Sequence, residues 1–126
     1  MTFLDDLRTY LQATTTLDIY TDFLPDLPDD CVGLFCWDST VGAVNDGSGV
    51  RYVQVQVRSI NPETAYMTAC ALCNALDSGL DETIIHLTND RWCVGRTRKR
   101  PVKLSLDETH RTIYYFETAL WGDIKE

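Results

Sequence analysis

Cys70-Ala71-Leu72-Cys73 has the CxxC spacing shared by redox and zinc sites. A zinc centre needs a second pair of ligands, and Cys31 with Cys36 is the pair on offer. Five residues separate those two in a stretch with a side-chain period of two, which sets them on opposite faces of a strand. A redox thiol of the thioredoxin type sits at a helix start, where the dipole lowers its pKa. Cys70 falls instead in mid-helix, on the apolar side. Packing is therefore the favoured reading of both thiols, ahead of metal or redox chemistry. Five cysteines are an odd count in a chain with no export signal, which predicts reduced thiols behaving as small hydrophobes.

The remaining reactive types are as sparse. His86 lies inside an apolar stretch, and His110 stands beside Asp107, Glu108 and Arg111. A Ser–His or Cys–His nucleophile needs two groups brought together and a third to orient the base, and no spacing here supplies them. Ser48 sits in Gly47-Ser48-Gly49 without a strand-to-helix elbow. That tripeptide is also too short for a phosphate loop, with no lysine and no helix directly after it. The sequence predicts no catalytic, cofactor-binding or metal-binding residue, and no enzyme.

Charge is more informative. Residues 1–49 hold nine aspartates against the single Arg8, whereas the rest of the chain is balanced, and the total is −8. Within the balanced part Arg91, Arg96, Arg98, Lys99, Arg100 and Lys103 cluster. An acidic half and a basic segment in one small domain can attract each other between copies, although solvated surface is the plainer reading. The run Arg96-Thr97-Arg98-Lys99-Arg100, with Trp92 near, could also hold nucleic acid. No zinc-finger, helix-turn-helix or RNA-recognition pattern supports that, and a chain at −8 repels phosphate elsewhere. A protein–protein or structural patch is favoured.

The elements that must position these groups follow from periodicity. Phe3, Leu4, Leu7, Tyr10 and Leu11 recur at helical spacing, with Thr2 as cap, Asp5 and Asp6 in the first turn, and Thr14–Thr16 as terminator. Ile19–Phe23 predicts a short strand, and Pro25 and Pro28 an exposed acidic turn. Cys31–Trp37 and Val50–Ser59 predict an antiparallel hairpin across the turn-rich Asn45–Gly49. Val53, Val55 and Val57 alternate with Gln54, Gln56 and Arg58, which predicts one buried face and one long polar face. Asn61 and Pro62 open a second helix with an Ala65, Ala69, Leu72, Leu76 stripe, ended by Gly79. Thr83–Leu87 and Asp90–Thr97 read as strands around a Thr88–Asp90 turn, Pro101 as a break, and His110–Leu120 as a closing strand. The expectation is a single α+β domain over residues 1–126, two helices packed on a largely antiparallel β-sheet. At 126 residues that is enough to bury a core without crosslinks. No apolar run approaches a membrane span, and no basic-then-apolar leader is read, so cytoplasmic synthesis without membrane insertion is expected.

This order of elements resembles the minor capsid and tail-terminator (tail-completion) proteins of long-tailed bacteriophages. Three stretches carry the resemblance: Val53-Gln54-Val55-Gln56-Val57-Arg58 leading into the Asn61–Gly79 helix, Cys93-Val94-Gly95-Arg96 ahead of Pro101, and the close from Asp107-Glu108 through Arg111 to Tyr114 and Phe116. Cys70–Cys73 and the acidic N-terminal part have no counterpart in that pattern. The resemblance implies a structural virion protein at the tail–head junction, made in the host cytoplasm and assembled as a ring, typically six-fold. Such a ring caps the tail tube, meets the head connector, and lets viral DNA pass without sequence-specific binding. It implies no enzyme and no cofactor. On that reading Asp26, Asp29 and Asp30 would meet Arg96, Arg98 and Arg100 of a neighbouring copy, and Gln54, Gln56 and Arg58 would face the lumen or another ring. A head-completion or other neck protein, a basic-patch nucleic-acid or regulatory module, and a small enzyme are the alternatives.

Overall fold

The computed structural model describes residues 2–38, 50–106 and 109–124. The predicted Asn45–Gly49 turn with Ser48, and Asp107 and Glu108, lie outside the described residues. Helix α1 spans Phe3–Gln12 and is capped as its sequence predicts. Thr2 Oγ1 accepts the Asp5 N–H, and the Asp5 carboxylate accepts the Thr2 N–H, both at 3.1 Å. This reciprocal box satisfies two backbone donors that a helix start otherwise leaves bare. Helix α2 spans Pro62–Ala75, and Asn61 Oδ1 accepts from the Glu63 N–H at 2.9 Å. It stops one turn earlier than Gly79 predicts. Leu76 is the cap, with its N–H on the Leu72 and Cys73 carbonyls, and Gly79 turns the chain three residues later at φ +73°.

Six strands form one sheet: β1 Asp18–Thr21, β2 Cys31–Asp38, β3 Val50–Ser59, β4 Ile85–His86, β5 Trp92–Leu106 and β6 Thr112–Gly122, in the order β1-β2-β3-β6-β5-β4. The domain is α+β, and the sheet differs from the expectation in being mixed and curled into a half-barrel. Its β1–β2 pair is parallel, because the loop over residues 22–30 carries the chain back to the start level of β1 before β2 begins; the other four pairs are antiparallel. Register shifts between Thr97 and Lys99, Lys99 and Val102, and Lys103 and Ser105 add residues to β5, and such bulges bend a strand and increase its twist. Pro101 therefore does not break the basic segment. It sits within one of these shifts, where a missing N–H is tolerated. The predicted Thr83–Leu87 strand contracts to two residues, and His86 is exposed.

Both helices cover one face. Val53, Val55 and Val57 are fully buried there with Val32, Leu34, Phe116 and Leu120, against Ala65, Ala69, Leu72 and Leu76 of α2 and Phe3, Leu7 and Leu11 of α1. Each fully buried Val, Leu or Phe side chain contributes roughly 1.5–3 kcal/mol. The small residues of α2 let its end come very close to β5. Gly95 donates its N–H to Ser78 Oγ at 2.9 Å and accepts the Ser78 N–H at 2.8 Å. A Cβ on Gly95 would fall inside the Leu76 carbonyl oxygen and lie 2.8 Å from Leu120 Cδ2.

Helix α1 touches both ends of the strand order. It packs on β1, and its buried Asp6 reaches the β4–β5 turn. Asp6 Oδ1 accepts from Thr88 Oγ1 at 2.6 Å and Asn89 Nδ2 at 2.8 Å, while Oδ2 lies 3.0 Å from Arg91 Nε. The helix thus spans the mouth of the half-barrel. Asp6 is more than a helix-dipole acid: its place among Phe3, Leu7 and Tyr10 puts it on the apolar stripe, and that position was the available sign that it would be buried.

Candidate functional site

The sheet face opposite the helices is built from the alternate residues of β2, β3, β5 and β6. Gln54 and Gln56 stand on it as predicted, both half-buried. Their cross-strand partners explain the burial: Gln54 pairs with Phe35 and Glu117, and Gln56 with Gly33 and Tyr115. Gln56 Nε2 donates to Gln54 Oε1 at 2.9 Å, and Gln54 Nε2 to Glu117 Oε2 at 3.5 Å. Two aromatic rings on this face carry cations from β5. The Arg98 guanidinium lies 4.3 Å from the centre of the Tyr52 ring; Lys99 Nζ lies 5.3 Å from that of Tyr115 and donates to its hydroxyl at 2.9 Å. That hydrogen bond holds the Lys99 ammonium above its ordinary pKa. The face is amphipathic and knitted by its own side chains.

Arg58 does not belong to that open face, although its parity puts it there. It is 4% exposed because the loop over residues 22–30 folds across it. Arg58 Nε donates to the Asp29 carbonyl at 3.0 Å, and Nη2 to the carbonyls of Pro28 at 2.7 Å and Asp26 at 3.3 Å. Arg111, equally buried, donates to the Asp26 carbonyl, lies 3.3 Å from Asp26 Oδ1, and 3.2 Å from Asp29 Oδ1. Asp30 Oδ1 accepts the Ile60 N–H at 3.1 Å. The predicted acidic turn is thus a lid over two guanidinia: its Asp26 and Asp29 carboxylates pair with Arg111, and its main-chain carbonyls take the donors of Arg58. Parity alone could not show this, since the covering loop is distant in sequence. The carboxylates at Asp26, Asp29 and Asp30 and the arrival of Arg111 at the same sheet end were the signal.

Arg96, Arg98 and Arg100 all emerge from β5 and are exposed. Arg96 Nη2 lies 3.8 Å from Glu82 Oε1, and Arg100 Nη1 donates to Asn74 Oδ1 at 3.5 Å. Within one protomer the structure does not bring them to Asp26, Asp29 and Asp30; among the described residues no ion pair joins the two groups.

The thiols follow their packing. Cys31 and Cys36 fall on opposite faces, opposite Arg58 and Val53 respectively. All five cysteines are thiols, and Cys31, Cys73 and Cys93 are buried. Burial pushes the Cys31 and Cys73 thiols up, the latter despite Thr97 Oγ1 at 3.5 Å, and pushes Cys93 up to about 12. Those three are poor nucleophiles at neutral pH. Among the described residues no cluster of His, Cys, Asp and Glu could hold a metal ion, and no helix is long and apolar enough to cross a membrane. Trp92, 41% exposed, lines an apolar cleft of about 400 Å³ with Ile84, His86 and Arg91, away from the Arg98 and Lys99 cation–ring pairs.

No family model matches the chain, and no curated protein matches it.

Proposed function

We propose that this chain is a structural subunit of a tailed-bacteriophage virion, a tail terminator that assembles as a ring, caps the tail tube and meets the head connector. The observation that carries the reading is the sheet face of Gln54, Gln56, Tyr52, Tyr115 and Glu117: a broad, amphipathic surface on which Gln54, Gln56 and Glu117 hydrogen-bond one another. Such a face suits apposition to protein or to passing DNA, because it makes contact without leaving stranded buried donors. The separation of exposed cations on β5 from the acidic N-terminal part supports head-to-tail association, in which one flank of each copy complements the other. The mechanism is mechanical: a ring presents one surface to the tube, another to the neck, and a lumen wide enough for duplex DNA.

Native mass spectrometry and negative-stain electron microscopy of the purified protein test this. Closed rings of one subunit number, and their attachment to the ends of tail tubes, are the expected result. A monomer or dimer that never decorates tube ends would refute it. Duplex binding that persists at physiological salt would favour the nucleic-acid module, since contacts to phosphate alone weaken steeply with salt.

A further inference from the structure

The two ends of the sheet are unlike each other in charge. At one end lies β1, four residues long, begun by the exposed Asp18 and followed directly by the exposed Asp22. At the other end β4 covers β5 only at Trp92 and Cys93, and Ser78 occupies both main-chain groups of Gly95. From Lys99 to Leu106 no strand lies outside β5 among the described residues. That stretch carries Lys99, Arg100 and Lys103, with Arg98 beside them.

The ladders fix where these two edges stand. Tyr20 of β1 is level with Gly33, Gln56, Tyr115 and finally Val102 of β5. Asp18 is level with Ser105 by the same path, and Asp22 follows at the level of Glu117 and Lys99. The short acidic edge therefore sits at the height of the uncovered basic stretch, and not at the height that β4 covers. Strand β1 is parallel to β2 and so to β6, which makes it antiparallel to β5.

We propose that β1 of one copy adds to the open β5 edge of the next, making a continuous antiparallel joint between identical subunits. The inference rests on the ring reading and names its joint. Asp18 and Asp22 flank the added strand and meet the cations of the β5 edge, while Tyr20 comes opposite Val102, an aromatic and β-branched cross-strand pair. The acidic partner is thus the β1 edge and not Asp26 and Asp29, whose carboxylates Arg111 already holds. Bulges, a proline and like charges on β5 oppose pairing with a second β5 or a neutral strand. A four-residue strand bracketed by carboxylates removes the charge objection and needs little regular edge. The joint is heterologous, so it propagates from copy to copy and closes only as a ring.

Charge reversal on each side separately is the test. Asp18→Lys/Asp22→Asn alters the β1 edge; asparagine is chosen because Asp22 has φ 70°, which it tolerates. Arg100→Glu/Lys103→Glu alters the β5 edge. Native mass spectrometry across a concentration series should show wild-type rings and at least tenfold weaker assembly for each variant alone. An equimolar mixture should recover assembly, with the two variants in equal numbers, because each altered edge now finds its complement on the other variant. The recovery also shows that both variants fold. Variants that assemble at wild-type concentrations, or a mixture that fails to recover, overturn the joint. Wild-type rings with unaffected variants overturn the joint alone, whereas a wild type that stays monomeric throughout, even with tail tubes added, overturns the ring reading with it.

Discussion

Replacing Gly95 with alanine adds one methyl group at the tightest contact between α2 and the sheet. The new Cβ would occupy the Leu76 carbonyl oxygen, stand 3.1 Å from the Leu76 carbonyl carbon and 2.8 Å from Leu120 Cδ2. The leucine side chain can rotate aside, but the carbonyl belongs to the helix cap, held by the Leu76 N–H on Leu72 and Cys73. Relief therefore requires the end of α2 to move away from β5, which stretches both hydrogen bonds between Gly95 and Ser78. Overpacking costs about 1–3 kcal/mol and each lost bond about 1 kcal/mol, so a loss of roughly 3–5 kcal/mol is expected. Against a domain stability of about 5–15 kcal/mol that is a large fraction. Urea unfolding followed by circular dichroism should show the midpoint fall with little change in slope. Gly79→Ala is the control: at φ +73° with open space around it, it should cost only the left-handed penalty of about 1–2 kcal/mol. A Gly95→Ala protein within 1 kcal/mol of wild type, or one no worse than Gly79→Ala, would refute the close-approach argument.

Three further outcomes concern Asp6, the thiols and Asp77. Asp6→Ala removes the carboxylate shared by Thr88, Asn89 and Arg91 and should cost about 3–5 kcal/mol, read from the same urea midpoint, while Asp5→Ala, which loses only the capping box, should cost distinctly less. A maleimide reagent at neutral pH should label the half-buried Cys36 and Cys70 first, with Cys31, Cys73 and Cys93 modified only on unfolding; peptide mapping that finds Cys93 among the early sites would contradict its burial. Asp77 is held below the usual carboxylate range by the Gly79 N–H and then by the Thr97 hydroxyl. A depressed folded pKa stabilises above the unfolded value and is lost as pH falls through the folded one, so Asp77→Asn should lower stability at pH 6, and the difference should shrink as pH falls below the usual carboxylate range. The group is exposed, and the difference should stay below about 1 kcal/mol.

The parts of this fold that were legible in the sequence are those specified by neighbours along the chain. Thr2 with Asp5, and Asn61 with Pro62, announce their helices because capping is a matter of three residues. Val53, Val55 and Val57 announce a buried face because the strand period is local. What was hidden depends on segments that meet only in three dimensions. Arg58 has the parity of an open face, and a loop beginning 36 residues earlier covers it. Pro101 reads as a break, yet in a bulged stretch of β5 with no strand outside it among the described residues the missing donor is tolerated. The parallel β1–β2 pair cannot be read from either strand, since direction is set by the loop between them. The same limit holds for the sheet face opposite the helices: Gln54 and Gln56 lie on it as their parity predicts, whereas the cation–ring pairs at Tyr52 and Tyr115 depend on bulges in β5 that shift Arg98 and Lys99 in register.

The link from Asp6 to Thr88, Asn89 and Arg91 joins positions more than 80 residues apart. During synthesis the first helix therefore exists long before its anchor does. Until β1, β2 and β3 have emerged Phe3, Leu7 and Leu11 have no sheet to cover, and a ten-residue helix alone is marginal in water. The Thr2–Asp5 box, a purely local device, gives α1 some helical bias while it waits. Closing the mouth of the half-barrel must come late, after β5 has emerged, and the large loop it closes slows that step. A chain arrested before residue 88 would carry a sticky, unanchored helix at its leading end, so the clasp that completes this fold is also the point at which its birth is most exposed to aggregation.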